Sequence, residues 1–163
     1  MRLMFAKVSS VAFAVLMLSA CTTYYHPKNF TGQGVEAAAV MNDVYRVSAL
    51  GSGMTDASTI QDFVLLKSAE TTLEHGKTHF IILSAEDATK SSTYRSAGTI
   101  TSNVYGSAVF STYQPGQTYD IIQPGKDLMI RIFTPAAGEE LPPGAFPAQE
   151  VFDSINPRVK QLN

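Results

Sequence analysis

Four groups of residues in this chain have types and spacings that could do chemistry. His75 and His79 are four apart, the spacing at which a helix offers two imidazoles to one metal ion. Gly76 lies between them and would end such a helix, and no glutamate follows His75 in the HExxH manner. The plainer reading puts His75 at a helix C-terminus, where a partial positive charge is favourable. Asp62 and Glu70 fall on one expected helix, but eight residues separate them by about 12 Å, too far for a working pair. Their expected partners are Arg46, Arg131 or backbone donors at a sheet edge. Gly51-Ser52-Gly53 invites a phosphate-cradle reading. The third glycine of a dinucleotide fingerprint would fall at Asp56, whose charge repels pyrophosphate, and no Gly-Lys-Ser/Thr follows. A tight strand-to-helix turn explains the motif, and Ser52 does not sit in a Gly-x-Ser-x-Gly elbow. No catalytic, cofactor-binding or metal-binding residue is therefore assigned. The enzymatic alternative is a hydrolase of the cell envelope using His75 or His79 with a carboxylate.

The fourth group centres on Cys21, the one cysteine in 163 residues. Arg2 and Lys7 precede it, with no acidic residue before Glu36, and residues 8–18 are apolar apart from Ser9 and Ser10. An apolar run of about ten residues suits a secretory leader, whereas a membrane-spanning helix needs ~20. Ser19 and Ala20 are small enough to enter a peptidase extended. Leu18-Ser19-Ala20-Cys21 closely resembles the lipobox of bacterial lipoproteins. That resemblance implies cleavage before Cys21, a diacylglyceryl thioether on its sulfur and acylation of the new amine. It also removes an anomaly, since a lone cysteine in an exported protein otherwise pairs with another chain or stays reactive. Two or more acyl chains hold a domain stably on a bilayer. In Gram-negative lipoproteins an aspartate after the cysteine tends to retain the product in the inner membrane. Thr22 stands there instead, which implies the periplasmic face of the outer membrane, with the inner membrane as the alternative.

Removing residues 1–20 leaves 143 residues, enough for one domain with a proper core. Basic residues fall from 12 to 10 while the 14 acidic ones remain, for a formal charge of −4. With no run of Lys or Arg, nucleic acid is a poor partner. No second cysteine is present to form a disulfide within the chain, so hydrophobic burial must hold the domain together.

Residues 22–34 mix Pro, Gly, Asn and polar side chains without periodicity and read as a tether spanning at most about 45 Å. Tyr24, Tyr25 and Phe30 within it are expected to pack on the domain or at the lipid interface. Residues 44–50 alternate as a strand. Thr55 or Ser58 caps a helix running to about His75, with Leu65, Leu66, Ala69 and Leu73 on its inner face and Gly76 as its C′ residue. Residues 79–84 read as a buried strand. From 86 to 117 the chain is polar and small, with two irregular strands (99–105 and 108–113) or one long hairpin. Its tyrosines at 94, 105, 113 and 119 suit either recognition or a solvated sheet face. Residues 119–123 and 128–134 form an expected hairpin about Pro124-Gly125, with Leu128, Ile130 and Ile132 on one side and Met129 and Arg131 on the other. Residues 136–147 are loop, and 148–155 make a short helix with Val151, Phe152 and Ile155 aligned.

Tyr45, the 51–55 turn, Asp62, Leu65-Leu66, Ala69-Glu70 with Thr72-Leu73, and Gly76 before Phe80 together resemble a family of uncharacterised proteobacterial lipoproteins. Many members have Arg-Ala-Ala-Glu where this chain has Lys67-Ser68-Ala69-Glu70. That family has no established activity, so the resemblance implies membrane attachment and nothing further. The expectation is thus a signal peptide over 1–20, a lipidated tether over 21–34, and one α+β domain over 35–163. That domain should hold a mainly antiparallel sheet of four to six strands, one long helix packed on it and a short C-terminal helix. The expected role is structural or binding, in the cell envelope, with the membrane as partner and an envelope protein as a candidate second partner. No cofactor is expected beyond the covalent lipid on Cys21.

Overall fold

The computed structural model describes residues 23–159, and of Tyr105 only the backbone. The leader, the cleavage site, Cys21 and Thr22 lie outside the described residues. The chain is α+β with mostly antiparallel strands. Strand β1 (Gly34–Met41) turns into β2 (Val44–Leu50), helix α1 (Ala57–Glu74) follows, and β3 (His79–Asp87) returns to the sheet. Then come β4 (Lys90–Arg95), β5 (Thr99–Tyr105), β6 (Ala108–Gln114), β7 (Thr118–Gln123) and β8 (Gly125–Phe133). The chain closes with β9 (Ala145–Pro147), α2 (Ala148–Ile155) and a 3₁₀ turn, Asn156–Arg158. The main sheet has five strands in the order β1-β2-β8-β3-β9.

Alternation builds one inner face of that sheet. Leu128, Ile130 and Ile132 of β8 are buried while Arg131 is exposed, as the pleat requires. Val47, Ala49 and Phe80 join them against α1. The helix buries more of its circumference than its leucines suggest, because α2 packs on it as well as the sheet. Ile60, Phe63, Val64, Leu66 and Ala69 are buried, with Leu65 and Leu73 partly so. Ser68, Thr71 and Thr72 are buried too, each hydroxyl donating to the carbonyl four residues back, which removes the cost of hiding them. The helix stops as expected. Gly76, at φ +67°, donates to the Leu73 carbonyl and Lys77 to that of Thr72, the Schellman pattern. Its start differs: Asp56 is the N-cap and makes no side-chain cap bond. Thr55 instead accepts the Ser52 amide and closes the glycine turn.

Three expectations are corrected. Residues 23–34 are not a loose tether: Tyr25 packs on the domain as expected, 6 % exposed, and the Pro27 segment bridges to Val35, whereas Tyr24 and Phe30 stay exposed. An alanine-rich strand, β1, follows where no strand was expected. Pro124-Gly125 is not a hairpin turn, because β7 pairs with β4 and β8 with β2 and β3. Pro124 has no N–H to offer a ladder, and its carbonyl accepts from Gly51. A Cβ on Gly125 would lie 2.5 Å from the Ala88 carbonyl oxygen. The pair marks where strands leave the sheet.

What leaves is one continuous hairpin. Ser84 faces Met129, Lys90 faces Gln123, Thr99 faces Gln114 and Tyr105 faces Ala108, each step on one strand matched by one on the other. The bonds Ala88 to Gly125 and Ser96 to Gln117 carry the same register across the two breaks between ribbons. Gly106, at φ +64°, leads the two-residue turn at the tip, the position a type II′ turn reserves for glycine. From Lys90 to the tip the arm extends roughly 50 Å at ~3.3 Å per residue. Its waist depends on Gly116, where a Cβ would come 1.7 Å from the Ser96 carbonyl oxygen. Gly116→Ala should therefore cost about 1–3 kcal/mol in local displacement. Limited proteolysis is expected to cut the arm between 96 and 117 several times faster, with the melting of the body unchanged.

Candidate functional site

The arm carries an uncharged, partly apolar face into solvent. Cross-strand partners share a face and successive residues alternate, so Tyr94 and Tyr119, Ile100 and Tyr113, and Val104 and Val109 stand on one side with Ile121. These seven side chains are between 40 % and 68 % exposed. Ser102 and Ser111, between them on the same face, bond each other at 2.8 Å. Tyr113 lies over Gly98, whose missing Cβ would fall 2.6 Å from the ring. That contact keeps the face continuous across the waist. The other face bears Thr93 bonded to Asp120, then Thr99, Thr101, Asn103 and Thr112, with Phe110 and Ile122 as large apolar members. Residues 96–119 contain no charge, in a chain that is 16 % charged.

The first described residues dock beside the base of this arm. The Thr23 hydroxyl lies 3.0 Å from that of Thr55, which also closes the 51–55 turn. Gly53 of that turn sits against Ile121 of the arm, with 2.8 Å between a would-be Cβ and the Ile121 methyl. Tyr25 completes the docking. Its hydroxyl donates to Glu70 at 2.6 Å and its ring meets Phe63 edge-on at 5.3 Å. Burial, reinforced by the Glu70 carboxylate, pushes the phenol far above its ordinary range.

A cleft of about 220 Å³ lies on the helix-free side of the sheet, between Lys28, Glu36, Arg46, Lys90 and Asp127. Lys28 bonds Glu36 at 2.6 Å and holds that carboxyl below its usual range, with a smaller contribution from Arg46. Of the charged residues around the cleft, Lys28 and Glu36 pair directly.

The residues singled out by spacing are not brought together. His75 bonds the Thr71 carbonyl and tilts against Tyr45, at the helix end as expected. His79 bonds the Thr78 hydroxyl and stacks toward Phe133. Asp62 pairs with Arg158 at 2.9 Å, and Glu70 with Tyr25 and Lys67, so neither takes the expected Arg46 or Arg131. Among the described residues no cluster of His, Cys, Asp and Glu could hold a metal ion, and no helix is long and apolar enough to cross a membrane. The 51–55 turn uses the amides of Ser52, Met54 and Thr55 internally and that of Gly51 on the Pro124 carbonyl. The stripe on the arm was not named from sequence, although its tyrosines were. The missing signal was the register that aligns two weakly alternating strands. Comparison with family models, with curated proteins and with solved structures finds no match in any of the three.

Proposed function

We propose that the chain is a lipid-anchored protein of the bacterial cell envelope, held through Cys21 at the periplasmic face of the outer membrane, with a structural or binding role. The observation that carries the binding role is the arm, a two-stranded ribbon raised from a packed body with an uncharged, partly apolar face in solvent. A monomer has no use for such a face, and large exposed apolar patches mark interaction sites. The anchoring rests on the Leu18-Ser19-Ala20-Cys21 motif and its leader. Docking at Thr23 makes the connection short. Two residues reach at most about 7 Å, so the arm base stays close to the lipid. Cys21→Ala, once uncleaved precursor is separated, should move the protein from the membrane to the soluble periplasmic fraction. Equal retention of the processed variant would remove the anchor from the account.

A further inference from the structure

We propose that the distal arm, residues 96–117, inserts into the bilayer as a β-hairpin. Lipid chains cover its apolar face, and arms from further copies of this chain pair along its two edges to close a barrel. The inference rests on the anchored reading above and adds what the arm binds.

Length comes first. A tilted strand crosses the hydrocarbon layer with 9–11 residues, and Ser96 to Tyr105, with Gln117 to Ala108 opposite, supplies about ten on each side. The segment is uncharged throughout, and the nearest charge, Arg95, lies at its base. Membrane strands alternate an apolar lipid face with a polar lumen face. Here Ile100, Val104, Val109 and Tyr113 carry the first, and Thr99, Thr101, Asn103, Thr112 and Gln114 the second, on which Phe110 is an apolar exception. On the apolar face Ser102 and Ser111 bond each other and the Ser96 hydroxyl bonds the Gln117 backbone, which lowers their cost in hydrocarbon. Tyr94 and Tyr119 stand side by side below the waist, where aromatic girdles meet the headgroups.

Edges decide between lipid and water. Among the described residues β5 and β6 pair only with each other, as do β4 and β7, leaving both outer edges unpaired. In a bilayer such edges must be closed by neighbouring strands. Stacking two arms face to face in water would cover the stripe and leave every edge open. A ring of copies covers the face and the edges together, and a water-filled lumen that passes a small dye takes about sixteen strands, hence about eight hairpins. Position agrees: Thr23, two residues from Cys21, docks at the arm base on the side of Ile121, the side of the stripe.

The chain has no tryptophan, so one introduced indole reports its own surroundings. Full-length lipidated Val109→Trp and Thr112→Trp would be reconstituted in phosphatidylethanolamine–phosphatidylglycerol vesicles holding a small dye. Both sites are exposed, so the body should fold. The proposal expects Val109→Trp to be quenched severalfold more by brominated lipid than by iodide, Thr112→Trp the reverse, and dye release that rises steeply with protein density. Vesicle-bound protein with both indoles open to iodide and dark to bromine would overturn insertion while leaving the anchor intact. A lipid-independent blue shift with a dimer mass would overturn it in favour of paired arms. Lipid quenching without dye release would overturn the closed barrel. Failure to sediment with vesicles would overturn the anchored reading, and this proposal with it.

Discussion

Phe80→Ala is expected to lower stability by about 3–5 kcal/mol, a large share of the ~5–15 kcal/mol a domain of this size holds. Phe80 is fully buried, faces Ile132 on one side and Phe146 on the other, and stacks on Phe146 at 5.3 Å. Its removal opens a cavity where β8, β3 and β9 meet α1, and close-packed neighbours relax only partly into it. Thermal unfolding should show a fall in Tm of roughly 10–20 °C. Phe146→Ala is the internal comparison. The same stacked pair is lost, but Phe146 is 36 % exposed on the edge strand, so its loss should be much the smaller. Equal losses would mean that stacking, not burial, holds that corner.

Tyr25→Phe is expected to cost about 1.5–3 kcal/mol at neutral pH, the range for a hydrogen bond to a charged group, because Glu70 then keeps only Lys67 at 3.3 Å. The pH dependence separates this bond from packing. Burial and Glu70 hold the folded phenol protonated beyond the alkaline range, whereas in the unfolded chain it ionises near pH 10. Above that pH the unfolded state binds fewer protons than the folded state, so stability falls as pH rises. Tyr25 therefore contributes fully below about pH 10, and its contribution fades above it by up to ~1.4 kcal/mol per pH unit. The stability gap between the two proteins should be constant up to about pH 10 and narrow by about 1.4 kcal/mol by pH 11, as read from denaturant midpoints. A gap that stays constant would place the effect in the ring's contact with Phe63 instead.

Much of the body was legible because its signals are local. Residues 44–50 alternate, 79–84 are a compact apolar block, and Gly76 marks a helix end that needs positive φ. Each element formed where expected, and the C-terminal helix did too. The failures share a cause. Strand β1 reads Gly-Val-Glu-Ala-Ala-Ala-Val-Met, a composition with little β preference that becomes a strand through pairing with β2. Tyr25 lies among Pro, Gly and Asn, and only the pocket formed by Phe63 and Glu70 turns that stretch from tether to core. Pro124-Gly125 carries a turn signal, yet its neighbours are claimed by strands distant in sequence. The arm's weak alternation gains meaning only when two strands are aligned. Context of that kind is absent from any single window.

The unbroken register of the arm also bears on how the sheet assembles. Phe80 and Ile132 are central to the core yet far apart in the chain, and closing so long a loop directly carries an entropic cost that grows with its length. Pairing that starts at Gly106 and Ser107 proceeds instead as a zipper, each rung adding neighbours already held side by side. The two strands reach β2 and α1 prealigned, with the slip at Leu83 the one adjustment left to make. Topologies that replace distant encounters by local ones fold faster. The segment farthest from the core is thus the one best placed to begin its construction.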